Sequence, residues 1–268
     1  MTDTLFATSA DGTRIAYETR GAGPALVFVD GAMCQRAMGP SRPLAQALAD
    51  RFTTTCYDRR GRGESGAGES DYSVEREIED LDAVIEAVGG HASVFSASSG
   101  AALALRAARA GSQIDRLVAY EVPYVLDDTH APVAPDLVDR VRAMVASGDR
   151  GGAVKAFMRA VGAPAPMVAV MPLFPVWSKM KAVAHTLAYD LSFVAPFQQG
   201  EALPDREFAG VEAPTLMIAG GKSPAYMKNA QAAIECQLPA GSLRELPGQT
   251  HMIKTKVVAP VVAEFLAG

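Results

Sequence analysis

Val94-Phe95-Ser96-Ala97-Ser98-Ser99-Gly100-Ala101-Ala102-Leu103 is the stretch on which the reading of this chain turns. An apolar, strand-like run (Ala92 to Ser96) meets an Ala/Leu-rich, helix-like run (Ala101 to Ala110) with no loop between them. Only small residues sit at the junction. A serine nucleophile needs that arrangement: the turn is so sharp that Ser98 is pushed out at the sheet edge, and the residues two before and two after must be small to avoid collision. The usual pattern is G-x-S-x-G; here it reads Ser96-x-Ser98-x-Gly100, one glycine short. A plain strand-to-helix turn shows the same cluster, so the flanking chain has to decide.

Upstream, Leu5 to Thr8 and Arg14 to Glu18 flank Asp11-Gly12, a two-residue hairpin signal. Ala25 to Val29 is a continuous apolar run, as expected of a strand covered on both faces, and it ends in Asp30-Gly31-Ala32-Met33. Leu44 to Ala49 suggests a helix, and Phe52 to Tyr57 a strand ending in Asp58-Arg59-Arg60-Gly61-Arg62-Gly63-Glu64-Ser65. Ser73 opens a helix whose apolar residues (Val74, Ile78, Leu81, Val84, Ile85, Val88) keep a 3.6-residue period, closed by Gly89-Gly90. Downstream, Leu117 to Tyr120 is the next strand, ending at Glu121. Alternating strands and helices mean parallel βαβ units and a doubly wound sheet.

From Val122 to about Arg206 the alternation stops. Pro135 to Ser147, Ala153 to Val161 and Val176 to Ala188 read as three helices with no strand between them, so residues 122–206 form a helical insertion on the sheet. Strand Thr215 to Ala219, helix Ala225 to Leu238, strand Leu243 to Leu246, a turn carrying His251 and helix Val257 to Leu266 complete the core, which spans 1–121 and 207–268.

The chain has 268 residues, enough for one large α/β domain with an insertion. A net charge of −5 with no long run of one sign favours neither nucleic acid nor an anionic membrane as partner. Three scattered cysteines argue against a disulfide framework, and no secretory signal is visible, so a cytoplasmic location is expected. The longest apolar run, residues 163–177, is too short and too proline-broken to span a bilayer.

Taken together, these residues resemble the α/β-hydrolase fold family across essentially the whole chain. Asp58 to Ser65 matches that family's D-x-R-G-x-G-x-S loop after the fourth strand, Asp30-Gly31 stands where it commonly has His-Gly, and the Ser98 turn and His251 fall in their expected places. The resemblance implies a mostly parallel sheet with a helical cap inserted after the sixth strand. Shorter stretches look like the zearalenone-type lactonases within that family: Val29-Asp30-Gly31, Ser98-Ser99-Gly100, Glu121-x-Pro123 and Pro175-Val176-Trp177.

Acyl transfer needs a nucleophile, a base, an acid that orients the base, and donors for the oxyanion. Ser98 is the candidate nucleophile and His251 the candidate base; His91, His130 and His185 read as surface or insertion residues. Many family members carry the acid in a turn after the seventh strand, but here that turn is Gly220-Gly221-Lys222-Ser223-Pro224, with no carboxylate. Glu121, at the end of an apolar strand, is the alternative: burial there needs a partner, either an imidazole or an arginine of the insertion. The oxyanion donors expected are the backbone N–H groups of Ser99 and of Ala32 or Met33. Asp30 is expected either to touch substrate or to serve the structure, bonding loop N–H groups or facing a cation. Met33 and, from the cap, Met158, Met171, Trp177 and Met180 are expected to line an apolar pocket.

No metal-ligand spacing and no phosphate-binding glycine loop is present, so no cofactor is expected; the partner expected is an apolar small-molecule substrate, with association into a homodimer left open. The reading is a cofactor-free serine hydrolase that cleaves an ester or lactone through an acyl-enzyme. Carbon–carbon bond hydrolysis, acyl transfer or perhydrolysis on the same triad stands as the alternative, as does a non-catalytic small-molecule receptor.

Overall fold

The apolar runs come together as one eight-stranded sheet in a computed structural model that describes residues 3–268. Its strands are β1 (Leu5–Thr8), β2 (Arg14–Arg20), β3 (Ala25–Val29), β4 (Thr53–Tyr57), β5 (Ala92–Ala97), β6 (Ile114–Tyr120), β7 (Thr215–Gly220) and β8 (Gly241–Leu246), in the order β1-β2-β4-β3-β5-β6-β7-β8. β1 pairs with β2, and β2 with β4, antiparallel; every other pairing is parallel. β3 and β5 are neighbours, but the chain leaves β3 for β4 on one side and returns to β5 on the other. Where the winding reverses, the carboxyl ends of the two strands open a crevice that no crossover fills, and open α/β sheets hold ligands there.

Between the strands run α1 (Ser41–Leu48), α2 (Val74–Ala87) and α3 (Ser99–Ala110). After β6 come α4 (Leu137–Ala146), α5 (Arg150–Ala160), α6 (Ala165–Val170), α7 (Val176–Ala182) and α8 (Leu187–Val194). After β7 and β8 come α9 (Ala225–Glu235) and α10 (Thr255–Leu266). α1 and α10 bury Leu44, Leu48, Val258 and Val262 against one face of the sheet. On the other face lie Leu81 and Val84 of α2, Ile234 of α9 and the alanine-rich side of α3. Alanines 101, 102, 104 and 107 are wholly buried, so α3 approaches β5 and β6 closely with little side chain between. Its register depends on Gly100: a Cβ there would stand 2.5 Å from the Asp30 carbonyl oxygen. Among the described residues, no helix is long and apolar enough to cross a membrane.

The insertion departs from the expected three helices. The stretch expected as one helix, Val176 to Ala188, is broken at Val183 into α7 and a 3₁₀ turn that leads into α8. The proline-rich run before it also folds: Pro166 sits in the first turn of α6, where a missing N–H and a fixed φ suit a helix start, and Pro172 and Pro175 stop the helix from continuing. α4, α5 and α8 share a core of Leu137, Val141, Val154, Phe157, Leu187 and Leu191, and Ala32 and Met33 pack against it, so this cap sits on the loop after β3. The first hairpin also differs in detail. Asp11-Gly12 lies in the turn, but the strands stop at Thr8 and Arg14, and Ser9 N–H bonds the Thr13 carbonyl across a longer loop.

Candidate active site

Ser98 follows β5 directly and precedes α3 with φ 55° and ψ −130°, outside the regions an L-residue prefers. Four non-glycine residues have positive φ among those described: Met33, Ser98, Glu121 and Arg206. Three of the four are candidates from the sequence. Strain of about 1–3 kcal/mol per residue persists only where the surroundings enforce it, and such residues cluster at functional sites.

Glu121 directly follows β6 and is fully buried, so both carboxylate oxygens need partners. Oε1 accepts from the Gly220 N–H at 2.7 Å and Oε2 from His251 Nδ1 at 2.8 Å. The imidazole, not an arginine of the insertion, is its partner. The turn after β7, which lacks a carboxylate, supplies a donor instead. That turn must run tight against the His251 loop: a Cβ on Gly220 would lie 2.8 Å from the Gln249 carbonyl oxygen. The loop is held further by Tyr120 OH on the Thr250 carbonyl (2.6 Å) and by Lys222 N–H on the Gln249 carbonyl (2.8 Å). With Nδ1 donating to Glu121, Nε2 is the acceptor nitrogen of a neutral ring. No hydrogen bond joins it to the Ser98 hydroxyl as the groups stand; such contacts are often loose before substrate binds and tighten with it.

The loop after β3 closes on the serine from the other side. A Cβ on Gly31 would lie 2.9 Å from Ser98 Cβ and 3.4 Å from its Oγ, so only glycine lets this backbone come so near. The N–H groups of Ala32, Met33 and Ser99 have no hydrogen-bond acceptor among the described residues. They are the donors free to serve an oxyanion.

Asp30 is engaged within the fold. It is buried, and its Oδ1 accepts from Ser41 Oγ at 2.7 Å at the start of α1. Burial pushes its carboxyl up to about 6, against the bond from Ser41 and the nearby charges of Arg62 and Arg59. Of the apolar residues expected around substrate, Met180 is inside the cap core, and Trp177 packs beside Gly151 with Lys155 over its ring at 5.9 Å. Met180 thus builds the cap core, while Trp177 stands at its edge and lines a cavity with Gly151 and Lys181. Met158 and Met171 border the same cap core, while Met33 lies on the loop beside Ser98. The other histidines have separate partners: His91 bonds Asp115, His130 the Ala131 carbonyl, and His185 the Gly61 carbonyl.

The sequence reading missed Asp190. It sits on α8 in the otherwise apolar run Leu187-Ala188-Tyr189-Asp190-Leu191, and that lone acid in a buried helix was the available signal. Its Oδ1 accepts from Arg59 Nη1 and Ser99 Oγ, both at 2.7 Å, and its Oδ2 from Arg62 Nη2 at 2.6 Å. Burial alone would raise its carboxyl; Arg59 and Arg62, with Ser99, outweigh that and hold it below the ordinary carboxylate value. Arg59 also forks onto Glu77, and Arg60 onto Asp80. The arginines of the loop after β4 are thus all buried and paired.

The family described as the alpha/beta hydrolase family matches residues 22–253. A solved alpha/beta hydrolase from Sphaerobacter thermophilus is 46% identical, with a TM-score of 0.90 over 98% of this chain and 100% of that one. The enol-lactonase from Burkholderia xenovorans is similar in fold, with a TM-score of 0.69 over 98% of this chain and 100% of its own at 17% identity. A 2-(acetamidomethylene)succinate hydrolase from Mesorhizobium japonicum is 33% identical over 109 residues, which is 40% of this chain and only 38% of that protein.

Proposed function

This chain belongs to the alpha/beta hydrolase family, and from that premise we propose that it is a serine hydrolase that cleaves an ester or lactone of an apolar small molecule. The observation that carries the reading is the 2.8 Å bond between His251 Nδ1 and a Glu121 carboxylate with no exposure, beside a serine held at positive φ. In this reading Ser98 Oγ attacks the substrate carbonyl carbon while His251 Nε2 takes its proton. The charge of Glu121 stabilises the imidazolium that forms. The carbonyl oxygen becomes an oxyanion held by the N–H groups of Ser99 and Ala32. The tetrahedral adduct collapses, His251 returns the proton to the leaving alcohol, and water repeats the sequence to free the acid and restore Ser98. A lactone yields one hydroxy acid, an ester an acid and an alcohol.

Two features support a small acyl substrate: the donors belong to loops at the crevice between β3 and β5, and the cap packs onto Ala32 and Met33. The experiment is labelling with a fluorophosphonate, peptide mapping of the adduct, and turnover of a series of acyl esters and macrolactones. Label on Ser98 and loss of turnover by roughly 10³-fold or more in Ser98→Ala are expected. A Ser98→Ala protein that keeps more than a tenth of wild-type turnover would end the assignment. Cleavage of a carbon–carbon substrate in preference to every ester and lactone would move the activity to that chemistry.

A further inference from the structure

The two N–H groups assigned to the oxyanion lie far apart in sequence, yet one carboxylate of the cap links the segments that carry them, one directly and the other through arginines. Asp190 accepts from Ser99 Oγ at 2.7 Å through one oxygen and from Arg62 Nη2 at 2.6 Å through the other. Arg62 Nη1 in turn donates to the Gly31 carbonyl at 2.7 Å, an oxygen that also accepts from Cys34 N–H at 3.3 Å. The peptide joining Gly31 to Ala32 is planar, so its C=O and N–H point in opposite directions. Whatever holds that carbonyl therefore aims the Ala32 N–H. Met33, next along, is at φ 60°, a turn that an L-residue does not keep without outside constraint. Arg59 adds a second strut, since its Nη1 reaches both Asp190 Oδ1 at 2.7 Å and the Asp30 carbonyl at 3.2 Å. Asp190, Arg59 and Arg62 are each at most 2% exposed, so water does not replace any of these bonds.

We infer that Asp190 is a positioning residue for the oxyanion hole, acting from the cap through Arg62 on the Ala32 N–H and directly on the first turn of α3 that carries the Ser99 N–H. The inference rests on the serine-hydrolase reading and makes the cap part of the geometry that stabilises the transition state. Donors preset on the oxyanion favour the tetrahedral species over the ground-state carbonyl, so loosening them lowers kcat and leaves KM nearly unchanged.

The test uses the full-length protein and three variants. Ser99→Ala removes one hydroxyl and leaves the backbone N–H and the arginine pairs in place. Arg62→Lys keeps the charge facing Asp190 but cannot hold that carboxylate and the Gly31 carbonyl with one planar fork. Asp190→Asn removes the charge and keeps the shape. For a p-nitrophenyl ester, kcat per folded molecule should fall about 5- to 20-fold in Ser99→Ala and on the order of 10²-fold in the other two, with KM within threefold. A trifluoromethyl ketone gives an independent readout: Ser98 Oγ bonds its carbonyl carbon, the hydroxyl proton passes to His251, and the former carbonyl oxygen becomes the oxyanion. Its affinity should weaken by the same factors, while the matching secondary alcohol, which forms no such bond, binds all four proteins alike. Should the arginine or aspartate variant fail to fold, Ser99→Ala decides alone. The inference is overturned if Ser99→Ala holds kcat and ketone affinity within twofold of wild type, or if KM rises while kcat stays constant. Absence of fluorophosphonate label on wild-type Ser98 would instead overturn the parent reading, so the two failures are distinct.

Discussion

Glu121 carries two demands at once: a buried charge that must be paired and a backbone at φ 50°. Glu121→Gln separates them. The amide keeps the volume, and its oxygen can still accept from Gly220 N–H, but its NH₂ then faces Nδ1 and forces the imidazole into the tautomer with the proton on Nε2. Turnover should fall by roughly 10²- to 10⁴-fold with little change in KM, as expected when the orienting acid of a triad is neutralised. Steady-state kinetics and a melting curve on one preparation check this; a large loss of stability with near-normal turnover per folded molecule would make Glu121 a structural residue only. Asp30 makes the contrasting case, because it serves the fold and its charge disfavours it. Its carboxyl titrates near 6 when folded, above the 3.8 of an unstrained chain. The folded state therefore binds the extra proton between about pH 4 and 6, and stability falls as pH rises through that window and stays lower above it. Asp30→Asn can still accept from Ser41 and should gain on the order of 2–3 kcal/mol over wild type at pH 8, with the gain vanishing near pH 4. Urea titrations of both proteins at the two pH values give the answer.

At the level of elements, the turn after β5 was legible because it rests on size: the residues around Ser98 are small, and at Gly100 any Cβ would meet the backbone of the β3 end. Gly100→Ala should lower the melting temperature by about 10 °C or prevent folding, since a methyl 2.5 Å from a carbonyl oxygen must push α3 off the sheet. A thermal scan that finds it within 2 °C of wild type would show that the helix has slack. The core strands and helices were readable for the same reason, since runs such as Ala25 to Val29 and the periodic residues of α2 state their own burial. The cap was less so. Its helices are short, and the segments on either side of the break at Val183 pack against α4 and α5, long-range contacts that leave no mark in local composition. Which cap side chains face a substrate is equally unmarked in the sequence, because a methionine or tryptophan on a cap helix has two apolar faces to choose between.

For the molecule as a whole, the chain order Ser98, Glu121, His251 could be read directly, whereas the link between cap and core could not. Arg59 and Arg62 were noticed as a motif, and their partner stands 131 and 128 residues away. Asp190→Ala should destabilise the fold by about 3–5 kcal/mol, because it leaves two guanidinium groups buried without their shared counter-charge; chemical denaturation measures that directly. A value under 1 kcal/mol would mean that Glu77 and the loop carbonyls satisfy both arginines. The cap leaves the core after the last residue of β6 and the chain returns at the first residue of β7, its parallel neighbour, so in sequence it is a cassette that could be exchanged for another. Chemistry forbids the simple exchange. A cap grafted from another protein would fold over this sheet only if its last helix brought an acid to the same spot, or if positions 59 and 62 were traded away with it. Recombination of such genes would then have to carry residues 59, 62 and 190 as one heritable unit, although they stand on opposite sides of the splice.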